Sequence, residues 1–131
     1  MAKRTKFHEL KRVYDLLHSP KGCLWDKKQT HKSLLPYLKE ESAEFIEAVR
    51  SSNYHHMQEE LGDILLQVMF HAQLAKKAKK FDIEDVIDTL IKKIKRRHPH
   101  VFGSVKVSSA KEVIRHWHRI KRLEKKGLLK K

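Results

Sequence analysis

Apolar residues recur every three or four positions along almost all of this 131-residue chain, and only four glycines and three prolines interrupt them. That period belongs to amphipathic helices, whereas half-buried strands alternate every second residue. The spacing therefore predicts an all-α chain of about five helices. The first covers about Lys6 to Leu17 and ends at the turn-forming Ser19-Pro20-Lys21-Gly22. Cys23 to Ser33 reads as an irregular connection. The second helix runs from about Leu34 to Ser51, with Pro36 in its first turn and Leu38, Phe45, Ile46 and Val49 as its apolar stripe. A third, from about Tyr54 to Lys79, turns Met57, Leu61, Ile64, Leu65, Val68, Met69 and Ala72 inward. The fourth spans about Ile83 to Arg97, with Asp82 as its cap. After a break at His98-Pro99, the last begins near Ser109. No repeat or linker divides the chain, so residues 1–131 are expected to form a single domain with a basic C-terminal tail at about 124–131.

A lone cysteine, Cys23, excludes an internal disulfide and suits a reducing, cytoplasmic setting. The first residues lack the apolar run of a signal peptide, and no stretch is long and apolar enough to suggest a membrane span. The net charge of +14 invites nucleic acid as a partner, but its distribution says more than its sum. Between Tyr37 and Asp63 the acids Glu40, Glu41, Glu44, Glu47, Glu59, Glu60 and Asp63 face only Lys39 and Arg50. Beyond Lys111 the balance reverses, and Arg115, Arg119 and Arg122 share one side of the last helix. Such a pattern fits a metal–polyphosphate ligand as well as a nucleic acid.

Glu41 and Glu44 are three apart on the second helix, and Glu60 and Asp63 three apart on the third, so each pair projects from nearly one side. Glu41 lies in line with Leu38 and Phe45, and Glu60 with Ile64. Acids turned towards a core require positive compensation. If the helices pair as a hairpin through Ser51-Ser52-Asn53, the four carboxylates meet at similar heights, where mutual repulsion favours protonation or a cation. All-oxygen ligation favours magnesium or manganese over zinc. The competing reading is a solvated acidic face bridged by lysines. His98 with His100 and His116 with His118 lack the spacing of helical zinc ligands.

The run Glu40-Glu41-Ser42-Ala43-Glu44 followed by Glu60-Leu61-Gly62-Asp63 resembles the paired motif of the MazG-type nucleotide pyrophosphohydrolases. So do Trp25-Asp26-Lys27-Lys28-Gln29-Thr30-His31-Lys32-Ser33-Leu34 upstream and, downstream, Arg96-Arg97-His98-Pro99-His100-Val101-Phe102-Gly103 and Trp117-His118-Arg119-Ile120-Lys121. All four segments stand in the family's order. The resemblance implies a helical bundle with a four-helix-bundle-like core, an intertwined homodimer, and magnesium-dependent attack of water on the α-phosphorus of a nucleoside triphosphate. It implies Glu41, Glu44, Glu60 and Asp63 as metal ligands, with Glu40 orienting or deprotonating the water. It also implies Lys93 and Arg97 on the phosphates, Trp117 and Lys121 closing the site, and Trp25, His31 and Leu34 beside the nucleoside. Leu24 departs from the family's usual proline, and the single copy of the domain departs from relatives that carry two. The alternative to the enzyme is a basic helical nucleic-acid-binding protein.

Overall fold

The computed structural model describes residues 5–128, and its described residues form seven helices and no strand. Two of the seven, of five and four residues, are short additions to the five long ones that the periodicity predicts. Residues 129–131, the end of the expected basic tail, lie outside the described part. The chain divides into two compact units, Met1–Ile83 and Glu84–Lys131.

In the first unit, α1 (Lys6–Leu17) starts at Thr5, whose side chain accepts from the His8 amide, as a good N-cap does. The expected irregular connection contains a one-turn helix, α2 (Leu24–Lys28). Then α3 (His31–Arg50) begins three residues earlier than the apolar stripe suggests. The reason is a capping box: Thr30 accepts from the Ser33 amide while Ser33 accepts from the Thr30 amide. Pro36 is therefore the sixth helical residue, not part of the first turn, and it has no N–H to offer the Lys32 carbonyl four residues earlier.

A three-residue turn joins α3 to α4 (Tyr54–Lys77). Ser52 adopts φ 55°, and the amides of Ser52 and Asn53 bond back to Val49 and Ala48, which closes α3 with a Schellman motif. Asn53 at once caps α4 by accepting from the His56 amide. So short a turn makes the helices an antiparallel pair. The core beneath them is Tyr14, Leu34, Met69 and Phe70, flanked by Phe7, Leu10, Leu74 and Ile83. The Tyr14 hydroxyl donates to the Leu66 carbonyl at 3.1 Å, tying α1 to α4.

The inward faces differ from those expected. On α3, Leu34 and Ala48 are buried while Ile46 and Val49 stand about half exposed. On α4, Glu60, Gln67, Met69, Phe70, Ala72 and Ala75 are buried, and Leu61, Leu65 and Val68 are exposed. Apolar residues occupy two sides of α4, and the hairpin takes the side that bears Glu60 and Gln67.

The second unit contains α5 (Ile83–Arg97) from its second residue onward, α6 (Pro99–Phe102) and α7 (Ala110–Lys125). Pro99 cannot continue α5 and instead opens the short α6. Ser109 caps α7 by accepting from the Glu112 amide. No helix among the described residues is long and apolar enough to cross a membrane.

Candidate metal centre

The helical hairpin brings the two acid pairs together. One carboxylate oxygen from each of Glu41, Glu44, Glu60 and Asp63 lies within 4.8 Å of the others, the one such group of His, Cys, Asp or Glu side chains among the described residues. Glu60 is 5% exposed, and Glu41 is partly buried in line with Leu34, Leu38, Phe45 and Ala48. Oε2 of Glu41 and Oε2 of Glu60 are shielded from solvent and accept no hydrogen bond. Oε1 of Glu60 is 3.2 Å from Nε2 of His56, one turn earlier on α4.

Burial, then contact with Glu60 and the charges of Asp63, Glu44 and Glu60, push the Glu41 carboxyl up to about 7. Glu44 is also raised, first by its contact and charge interaction with Glu60. Four acids so close cannot all ionise without compensation, and no nitrogen or hydroxyl donor among the described residues reaches Oε2 of Glu41 or of Glu60. A hard divalent cation answers both problems, since it takes several carboxylate oxygens at once. The donor set fits magnesium or manganese, and it contains no nitrogen or sulfur to favour zinc. Glu40 sits beside Glu41 on the exposed side of α3.

Three more sequence-predicted residues belong to this unit. Trp25, on α2, is about half exposed and stands edge-on to Tyr37 at 5.8 Å and to Phe70 at 6.1 Å between ring centroids. His31 opens α3 and stacks on His71, with their Nδ1 atoms 2.7 Å apart. Leu34 is 1% exposed and lies within the core cluster.

The second unit holds the cationic residues. Lys93 and Arg97, one turn apart on α5, line a cleft of about 360 Å³ with Thr89, Arg96, Lys121, Glu124 and Lys125. Two cations lie over the Trp117 ring, the Arg97 guanidinium 5.7 Å and the Lys121 ammonium 4.5 Å from its centroid.

Glu124 escaped the sequence reading. It is 5% exposed, accepts from Arg97 at 2.9 Å and also from Nε of Arg96. The hydrogen bond from Arg97, with help from Arg96, holds its carboxyl below the ordinary range against the opposing effect of burial. The signal was present: Glu124 follows Val113, Trp117 and Ile120 at helical spacing, an acid in an apolar stripe like Glu41. His56 escaped as well, and its signal was the i, i+4 relation to Glu60.

Comparison with known proteins agrees with this chemistry. A family model described as the MazG nucleotide pyrophosphohydrolase domain matches residues 29–102. The nucleoside triphosphate pyrophosphohydrolase/pyrophosphatase MazG of Thermotoga maritima is 55% identical over 119 residues, which cover 91% of this chain and 45% of that protein. A nucleoside triphosphate pyrophosphohydrolase of Escherichia coli K12 is 39% identical over 104 residues, covering 79% and 40% respectively. The chain thus spans under half the length of these curated relatives. The crystal structure of a mazG-related protein from Thermotoga maritima superposes with a TM-score of 0.68 at 29% identity, covering 86% of this chain and 98% of that one.

Proposed function

This chain belongs to the MazG nucleotide pyrophosphohydrolase family, and from that premise we infer that it hydrolyses nucleoside triphosphates to a monophosphate and pyrophosphate with magnesium at the four-carboxylate cluster. The observation that carries the reading is the convergence of Glu41, Glu44, Glu60 and Asp63 within 4.8 Å, with two of their oxygens buried and unpartnered. Bound magnesium, or manganese in its place, supplies charge neutralisation on the phosphate oxygens and acidifies water. Glu40 orients or deprotonates the water that attacks the α-phosphorus, and the bond from that phosphorus to the bridging oxygen breaks, releasing pyrophosphate. Lys93 and Arg97 are assigned to the phosphates, Trp117 and Lys121 to closure over them, and Trp25 and His31 to the nucleoside. Phosphoryl transfer depends mainly on positioning and charge compensation, and these side chains supply both.

Product analysis tests the reaction. Purified protein incubated with canonical, oxidised and deaminated triphosphates, with and without magnesium, is expected to yield monophosphate and pyrophosphate only with the metal. Orthophosphate as the first product would refute the assignment. A higher kcat/KM for the damaged nucleotides would add a house-cleaning role. Arg115, Arg119 and Arg122 are exposed along α7, so binding of a nucleic-acid backbone by that helix has its own test, an affinity that falls steeply with salt.

The titration of Glu41 gives a second expected result. Its carboxyl rises from 4.5 in an ordinary setting to about 7 in the folded chain. A raised folded value means that the folded state holds this proton more tightly, so its contribution is complete below the unfolded value and disappears as pH rises through the folded one. Metal-free protein is therefore destabilised at this cluster at pH 8 relative to pH 6. Magnesium has no proton to displace at the higher pH and relieves more repulsion there. Differential scanning fluorimetry should show a larger magnesium-induced rise in Tm at pH 8 than at pH 6. Equal increments would contradict the titration.

We propose that the chain forms a homodimer through the outer side of α4, a reading supported by the exposed apolar row of Leu61, Leu65 and Val68 at helical spacing. Large apolar rows left open by one chain mark protein contacts. Light scattering should give twice the chain mass for the wild type and one chain mass for Leu65→Glu. A monomeric wild type would overturn the placement.

A further inference from the structure

We propose that His56 is the positioning residue of the carboxylate cluster, fixing Glu60 so that one chosen oxygen is left for the cation. This proposal rests on the metal-centre reading above. Glu60 is the most buried of the four acids, and a buried carboxylate without donors is unfavourable unless its oxygens are paired. Its neighbours Glu41 and Glu44 are acids, and His56 brings the nitrogen within reach of it, 3.2 Å from Nε2 to Oε1. A carboxylate that binds a cation can only accept hydrogen bonds, so in the cation-loaded centre the ring N–H that His56 can present to Oε1 is the one at Nε2. Oε1 is thereby committed. Oε2, buried and unpartnered, is the oxygen left for the metal.

The next residue provides an internal comparison. His55 makes the same i, i+4 contact with Glu59 at 3.1 Å, but both side chains are open to solvent, at 83% and 61% exposure. In the inner pair the corresponding figures are 38% and 7%. One pair is a surface contact, and the other joins a solvent-reachable ring to an acid sealed inside the cluster. Donors behind metal-binding groups hold them in a productive orientation, and their loss typically lowers metal affinity about 10–100-fold.

The test is Mn²⁺ binding, followed by electron paramagnetic resonance on the full chain without substrate, for the wild type, His56→Ala, His56→Gln and His55→Ala. Loss of the donor in His56→Ala is expected to weaken Mn²⁺ binding by about tenfold or more. Gln at position 56 can donate an amide N–H from the same helical position, so His56→Gln should stay within a few-fold of the wild type, and His55→Ala should match it. Circular dichroism checks that each variant is folded, and His56→Gln carries the test if the alanine variant is not. Undiminished binding by His56→Ala would overturn the proposal, as would a His56→Gln protein that is folded yet binds tenfold more weakly. A wild type that binds no Mn²⁺ would instead remove the metal-centre reading, and this proposal with it.

Discussion

Glu41→Gln and Asp63→Asn are each expected to lower turnover by more than about a hundredfold while leaving helix content unchanged. Changes one layer behind a metal ligand already cost about 10–100-fold, so removing a ligand's charge should exceed that range. Both substitutions keep the side chain's size, and neither residue belongs to the apolar core cluster. The effect on stability should have the opposite sign. Neutralising one of four mutually repelling acids relieves the metal-free fold, so at pH 8 the variants should melt no lower than the wild type without magnesium. Steady-state kinetics beside thermal melts would check both halves. Unchanged turnover in either variant would remove the metal-site assignment. Lost turnover accompanied by collapsed helix content would show that these acids serve the fold and not the chemistry.

The second large effect concerns the frame that holds the hairpin. Phe70 is 3% exposed and meets three aromatic neighbours: Tyr14 at 6.1 Å, His18 at 5.3 Å and Trp25 at 6.1 Å, all edge-on. Its ring therefore joins α4 to α1, to the residue that ends α1, and to α2. Phe70→Ala should destabilise the protein by about 3–5 kcal/mol, through lost burial and the cavity left behind. Against a typical total of about 5–15 kcal/mol, that is a large fraction. Denaturant titration should show a lower midpoint with an unchanged slope. Tryptophan emission should shift as well, because Trp25 loses one of its two ring partners and keeps Tyr37. A change below about 1 kcal/mol would mean that the aromatic cluster is not what packs α1 on the hairpin.

Much of the site was legible because helical phase is a local property. Glu41 shares its angular position with Leu38 and Phe45, and Glu60 with Ile64, whatever surrounds them. Burial of Glu60 and partial burial of Glu41 follow that phase. The turn at Ser51-Ser52-Asn53 was equally local, with one residue of positive φ and one cap. The limits of α1 and α5 agree with the expected ones for the same reason. Where a side chain's surroundings come from distant sequence, the reading fell short. Leu34 clusters in the core with Tyr14, Met69 and Phe70, residues of α1 and α4. The partner of His31 is His71, forty residues away. Glu124 depends on Arg96 and Arg97, at least 27 residues upstream.

The sequence by itself determined an all-α chain and the relative phase of every acid and apolar residue on its helix, because a period of 3.6 residues needs no partner. Tertiary structure alone decided which of the two apolar sides of α4 turns inward. Leu61, Leu65 and Val68 carry the same periodic signal as Met69 and Ala72, yet the first three are exposed and the last two buried. Phase gives the angle between two residues. Only the helix packed against them decides which angle faces the core.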